Sequence, residues 1–165
     1  MTGIQTVNST ISAAYKLLAF ACIAGFAAYD LKRKLVPDRA LLCFCPVALL
    51  APFVHTLPSP PPALLLLSFL TSLAGAASGF LILLAAAITS RNGTGVGGGD
   101  IKLAAVIGFI YGPSRMLAVL LTASGLACAT SFIMGRKHRD GTLSLPFVPF
   151  LAAGSMAATI TAIAL

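Results

Sequence analysis

Six apolar stretches joined by short polar connectors take up most of this chain, at about Ile11–Tyr29, Ala40–Thr56, Ala63–Thr89, Leu103–Tyr111, Pro113–Met134 and Leu145–Leu165. A helix needs roughly 20 apolar residues to cross a bilayer, because each residue adds only about 1.5 Å along the axis. Inside hydrocarbon the backbone must satisfy its own hydrogen bonds, so runs of this length are read as spanning helices. Only 9% of the residues are charged, against about 25% in an ordinary soluble domain. The pattern predicts an all-α polytopic membrane protein with about six transmembrane helices. The 165 residues leave no room for a sizeable soluble unit, so residues 1–165 read as a single transmembrane domain. The fourth run is too short to cross alone. It either begins deeper, within the glycines that precede it, or forms a partial span broken at Gly112-Pro113. The long third run would tilt or extend beyond the bilayer.

Charge orients the bundle. Nine of the eleven Lys and Arg residues lie in or beside three connectors: Lys32, Arg33, Lys34 and Arg39; Arg91 and Lys102; Arg136, Lys137 and Arg139. Alternate connectors carry them, so by the positive-inside rule these three are cytoplasmic and both termini are extracytoplasmic. The formal charge of +7 is therefore a topology signal. No aromatic residues interleave with the basic ones, which argues against nucleic acid as a partner. Met1–Thr10 has no positive n-region, so the first helix is expected to be retained.

Cys22, Cys43, Cys45 and Cys128 are scattered through apolar runs, without the local spacing of a structural zinc site. They read as small buried hydrophobes. His55 and His138 have no ligand partner at useful spacing, and no metal or cofactor is expected. Pro58-Ser59-Pro60-Pro61-Pro62 reads as a stiff extracytoplasmic turn, and Gly75-Ala76-Ala77-Ser78-Gly79 as a close helix contact.

The rare acids carry the functional signal. The chain has no Glu and four Asp. Asp30 ends the first apolar run, and Asp100 closes a glycine-dense segment, Gly97-Gly98-Gly99-Asp100, ahead of the fourth. An ionisable group near hydrocarbon is costly, roughly 2.5–3.5 kcal/mol at a helix centre, and is a functional-site candidate by default. The charge-derived topology puts both acids near the cytoplasmic face, where they could form a dyad. Gly93, Gly95, Gly97, Gly98 and Gly99 permit positive φ angles and close backbone approach. Lys32 and Lys102 each stand two residues after one of these acids, a spacing that does not face it on a helix, so both are expected to snorkel to the interface. Asp38 reads as a capping or interfacial acid, and Asp140-Gly141 as a turn.

Val96-Gly97-Gly98-Gly99-Asp100-Ile101-Lys102-Leu103 resembles the second catalytic motif of the type IV prepilin peptidases, Gly-x-Gly-Asp followed by an apolar residue and Lys. Tyr29-Asp30-Leu31-Lys32-Arg33-Lys34-Leu35-Val36-Pro37-Asp38 is similar to their first motif, and Leu145-Pro146-Phe147-Val148-Pro149-Phe150-Leu151-Ala152-Ala153-Gly154 to a later Pro-Phe-Gly-Pro-Phe-Leu-Ala segment. The blocks occur in the family's order. Asp38 stands where Asn is usual and Val148 where Gly is usual, departures that bear on substrate fit or backbone shape more than on chemistry. The resemblance implies an inner-membrane aspartic endopeptidase that removes the short basic leader from prepilin or pseudopilin precursors at the cytoplasmic face. Asp30 and Asp100 would be catalytic, in a glycine-rich cytoplasmic loop supported by Gly97, Gly99 and Lys102. The sequence lacks paired Cys-x-x-Cys motifs and looks like the compact form found with Flp/Tad-type pili, which implies peptidase activity without methyl transfer. Membrane lipid is the other expected partner; the sequence does not indicate an oligomeric state.

Two carboxylates sharing a proton can hydrolyse a peptide: the ionised one takes a proton from water while the neutral one polarises the carbonyl. Helix ends suggest a division of labour. Asp30 terminates a helix, where the macrodipole disfavours negative charge, and Asp100 begins one, where it is favoured. On that argument Asp30 carries the proton and Asp100 is the base. Three other readings remain: a proton- or cation-coupled transporter, a non-catalytic pilus or secretion assembly factor, and an intramembrane protease of the presenilin type, whose Tyr-Asp motif occurs as Tyr29-Asp30.

Overall fold

The computed structural model describes residues 2–33, 37–56, 61–89, 97–135 and 147–164. Among the described residues the chain is helical and contains no strand. The helices are α1 (Thr2–Arg33), α2 (Asp38–Leu49), α3 (Ala51–Thr56), α4 (Pro62–Thr89), α5 (Gly98–Tyr111), α6 (Pro113–Gly135) and α7 (Val148–Ala164). Four segments are long and apolar enough to cross a membrane: Thr6–Arg33, Asp38–Thr56, Pro62–Thr89 and Pro113–Ile133. The fold class is that of an all-α polytopic membrane protein, as its apolar runs imply.

Boundaries differ from the apolar runs where hydropathy and helicity part company. Helix α1 runs on through Asp30-Leu31-Lys32-Arg33, because charged residues end the lipid-compatible stretch without breaking the helix. The second run divides at Leu50 into α2 and α3. Pro52 cannot donate to the preceding turn, and Leu50 falls back to a short-range bond with Val47 O at 3.3 Å before Val54 N–H resumes with Leu50 O at 3.0 Å. The fourth run begins five residues early, at Gly98, and still reaches only about 21 Å over its 14 residues.

That short helix is the centre of the bundle. Helices α2, α3, α4, α6 and α7 all pack against α5, the α4–α5 seam being the most extensive. Its Leu103, Ala104 and Ile107 are completely buried. A helix too short to cross by itself is tolerated in such a bundle where protein surrounds it. The seam is built from small residues: Gly75 and Gly79 of α4 meet Gly108 and Ala104 of α5 backbone to backbone. Gly112, at φ 77°, caps α5 by donating to Gly108 O at 2.8 Å, and Pro113 starts α6.

Leucines line the outside, as on α4, where Leu66, Leu67, Leu70 and Leu73 are all more than half exposed. Lipid replaces water there. The cysteines follow the same logic and correct the expectation of burial: Cys43 and Cys128 are exposed and Cys22 and Cys45 partly so, all free thiols. A small apolar side chain suits a lipid-facing surface as well as a core. The proline-rich turn at 58–60, Gly93, Gly95, Asp140-Gly141, His138 and the basic residues Lys34, Arg91, Arg136, Lys137 and Arg139 lie outside the described residues.

Candidate active site

One end of the bundle gathers the acids. Helix α1 ends there, α2, α5 and α7 begin there, and each contributes a group. Asp30, in the last turn of α1, is only 4% exposed. Its carboxylate accepts the backbone N–H of Val148, the first residue of α7. That amide is one of the donors a helix start leaves without an intrahelical partner. The second oxygen, Oδ2, is buried and has no hydrogen-bond partner among the described residues. A buried carboxylate oxygen left unsatisfied is costly, and such a group calls for an explanation beyond packing.

Asp100 supplies one. It sits in the first turn of α5, outside the segments long enough to span, where Gly97 O accepts its backbone N–H at 3.0 Å. Burial first, and then the negative charge of Asp30, push the Asp100 carboxyl up to about 6, while a backbone hydrogen bond from Gly97 pulls the other way. The charge of Asp30 thus reaches Asp100 as a repulsion that disfavours a second anion there.

The supporting residues behave differently from expectation. Gly97 is the N-cap of α5 with φ −68° and ψ 146°, an extended conformation open to any residue. Gly98 and Gly99 are already helical, and Gly112 is the positive-φ glycine of the described residues. Of the glycines expected in the loop, Gly98 and Gly99 belong to the helix start. A Cβ on Gly97 would lie 3.5 Å from Asp100 Oδ2, so a side chain here would press on the acid without clashing. Lys102 does more than reach the interface: its ammonium donates to Asp38 Oδ1 at 2.9 Å. Asp38 is correspondingly not a cap, since Pro37 occupies the N-cap position of α2.

Val148 was singled out for departing from a glycine pattern, yet its side chain is fully buried and its backbone amide does the contacting. That contact also weakens the helix-end division of roles. The start of α7 offers Asp30 the partial positive charge that the end of α1 does not, so dipoles favour neither acid decisively. Nothing in the chain's spacing could reveal this, because residues 30 and 148 meet only through the fold. Beside the acids, α1 and α2 touch lightly through Phe26 and Phe44, ring centroids 5.7 Å apart, and an apolar groove of about 360 Å³ opens between the two helices. Among the described residues no group of three His, Cys, Asp or Glu could hold a metal ion.

Comparison with known proteins identifies the family. Residues 17–133, which include both acids and Lys102, match the model of the type IV leader peptidase family. The chain is also 37% identical over 135 residues to a prepilin leader peptidase/N-methyltransferase of Bacillus subtilis (strain 168), an alignment covering 80% of this chain and 49% of that protein. The chain thus spans about half the length of that curated relative. No solved structure matches it. This multi-helix membrane chain, with Asp30 and Asp100 inside the matched region, belongs to the type IV leader peptidase family.

Proposed function

We propose that this chain is a membrane aspartic endopeptidase in which Asp30 and Asp100 activate water to cut the leader from prepilin-like precursors. The observation that carries the reading is the buried, unpartnered Oδ2 of Asp30 within electrostatic reach of Asp100. A proton held between the acids would satisfy that oxygen and leave one anion as general base. Water loses a proton to the anion as its oxygen attacks the scissile carbonyl carbon. The protonated acid donates to the carbonyl oxygen, and proton return to the leaving nitrogen breaks the C–N bond. The proton belongs to the pair, whose titrations are joint, so neither acid has a fixed role. The Val148 amide holds one partner in place, and the first turn of α5 presents the other.

Residues 1–165 would act as one transmembrane unit in the cell inner membrane. The basic residues described at the acid end are Lys32, Arg33, Arg39 and Lys102, which by the positive-inside rule makes that end cytoplasmic and both termini extracytoplasmic. The substrate is a precursor with a short basic leader ahead of an apolar segment. The leader would lie in the headgroup region beside the acids while the apolar segment stays in hydrocarbon.

The test is reconstitution of the purified protein with a synthetic precursor and mapping of products by mass spectrometry. Cleavage at one bond between leader and apolar segment, lost separately in Asp30→Ala and Asp100→Ala, is the expected result. Intact precursor with wild type, together with proton or cation flux that either substitution abolishes, would mean that the acids serve transport instead.

A further inference from the structure

We propose that the ion pair between Asp38 and Lys102 is a positioning clamp, fixing the first turn of α5 against α2 and so setting where Asp100 stands relative to Asp30. The proposal rests on the reading of those two acids as the reacting pair.

The attachments of α5 are unevenly distributed. Toward its far end it is held by the glycine seam with α4, by His55 Nε2 bonded to Ile110 O at 3.0 Å, and by Tyr111 Oη bonded to Thr159 Oγ1 at 2.6 Å. Among the described residues its first turn has much less. The N-cap is a glycine with no side chain to cap the helix, Gly98 has open space around it, and Ile101 is the buried side chain. The segment that carries Asp100 therefore projects from a well-anchored helix as a weakly anchored end. Lys102, in the next position after Ile101, spans from this end to the first residue of α2.

The other side of the clamp leads back to Asp30 by a short route. Asp38 begins α2, where the helix dipole favours its charge. Helix α2 meets α1 through Phe44 and Phe26, and Phe26 lies one helical turn before Asp30. The pair thus closes a ring of contacts running from Asp30 through α1, α2 and α5 to Asp100. It also fixes the direction of the ammonium. Residues two apart on a helix do not share a face, so a Lys102 engaged by Asp38 is turned away from Asp100. Both partners are well exposed, at 54% and 68%, so the clamp contributes little to global stability and acts on local placement.

The test uses the full chain in nanodiscs with the synthetic precursor. Lys102→Met and Asp38→Asn should each lower kcat about fivefold with KM unchanged, the factor equivalent to the ~1 kcal/mol upper end for an exposed pair. Lys102→Arg should keep the wild-type rate, and the exchange Asp38→Lys with Lys102→Asp should recover more than half of it. An unrecovered exchange, or a change confined to KM, overturns the clamp; the latter would make Asp38 a contact for the basic leader. A second measurement needs no activity. With the four native cysteines replaced by alanine, spin labels at Leu31→Cys and Gly98→Cys report the separation of the α1 end from the α5 start. Leu31 is exposed and Gly98 has room for a side chain. The distance distribution should broaden in Lys102→Met and sharpen again in the exchange, and an unchanged distribution refutes the clamp. If wild type cleaves no precursor, the peptidase reading fails while the spin-label distances still decide the clamp.

Discussion

Replacing Gly108 with alanine tests whether the backbone-to-backbone seam with α4 holds α5 in its central place. A Cβ at residue 108 would meet Gly75 O, lie 2.7 Å from Gly75 C and come within 3.2 Å of Ala76 N. All of these are backbone atoms of α4, so no rotamer change relieves the overlap. Helix α5 would have to retreat by about 1 Å, and a gap of that size forfeits a quarter to a half of each dispersion contact along the seam. Overpacking typically costs about 1–3 kcal/mol, and the rigid neighbours here place Gly108→Ala at the upper end. Alanine's better helix propensity returns up to about 1 kcal/mol, for a net destabilisation of about 2 kcal/mol. Gly25→Ala and Gly125→Ala are the controls, because a Cβ at either meets nothing within 4 Å. Reversible unfolding in mixed micelles, followed by circular dichroism, measures the difference. Activity should fall more steeply than stability suggests, since a 1 Å misplacement of a reacting group costs up to about 10²-fold. A Gly108→Ala protein as stable and as active as the two controls would show that the seam does not position α5.

Asp30→Asn and Asp100→Asn should each lower precursor cleavage by about 10²–10⁴-fold, and the double substitution should be no worse than the more severe single one, because the acids act as a unit; quantitative product analysis distinguishes this from independent losses. The Asp100 carboxyl, pushed up to about 6 from the usual 3.8, ionises less readily folded than unfolded. Its contribution is therefore fully present below about 3.8 and lost as pH rises toward about 6, so stability should decline across that window and level off above it. Asp100→Asn should flatten this part of the unfolding-versus-pH curve and be the more stable protein at pH 7.5. Tyr111→Phe removes the 2.6 Å bond to Thr159 far from the acids, while Thr159 keeps its 2.8 Å bond to Ser155 O. It should cost about 1 kcal/mol of stability with kcat unchanged.

Much of this protein is legible in one dimension because a bilayer imposes a one-dimensional rule: a long apolar run must be a helix. The membrane class and most helix positions follow from that rule, and charge alternation adds an expected orientation. The rarity of acids makes Asp30 and Asp100 the candidates, since an ionisable group kept near hydrocarbon carries a penalty that demands a use. Hydropathy could not tell where helices end, because the charged residues Asp30, Lys32 and Arg33 remain helical and Gly98-Gly99 join a helix despite poor propensity. Nor could it tell that a helix of only 14 residues lies at the centre, a position available to α5 because its small residues let α4 approach to backbone contact. Tertiary structure alone decided which groups meet. The Val148 amide reaches Asp30, Lys102 turns to Asp38, and Asp100 comes within the field of Asp30, because these contacts join residues far apart in the chain and depend on how whole helices dock.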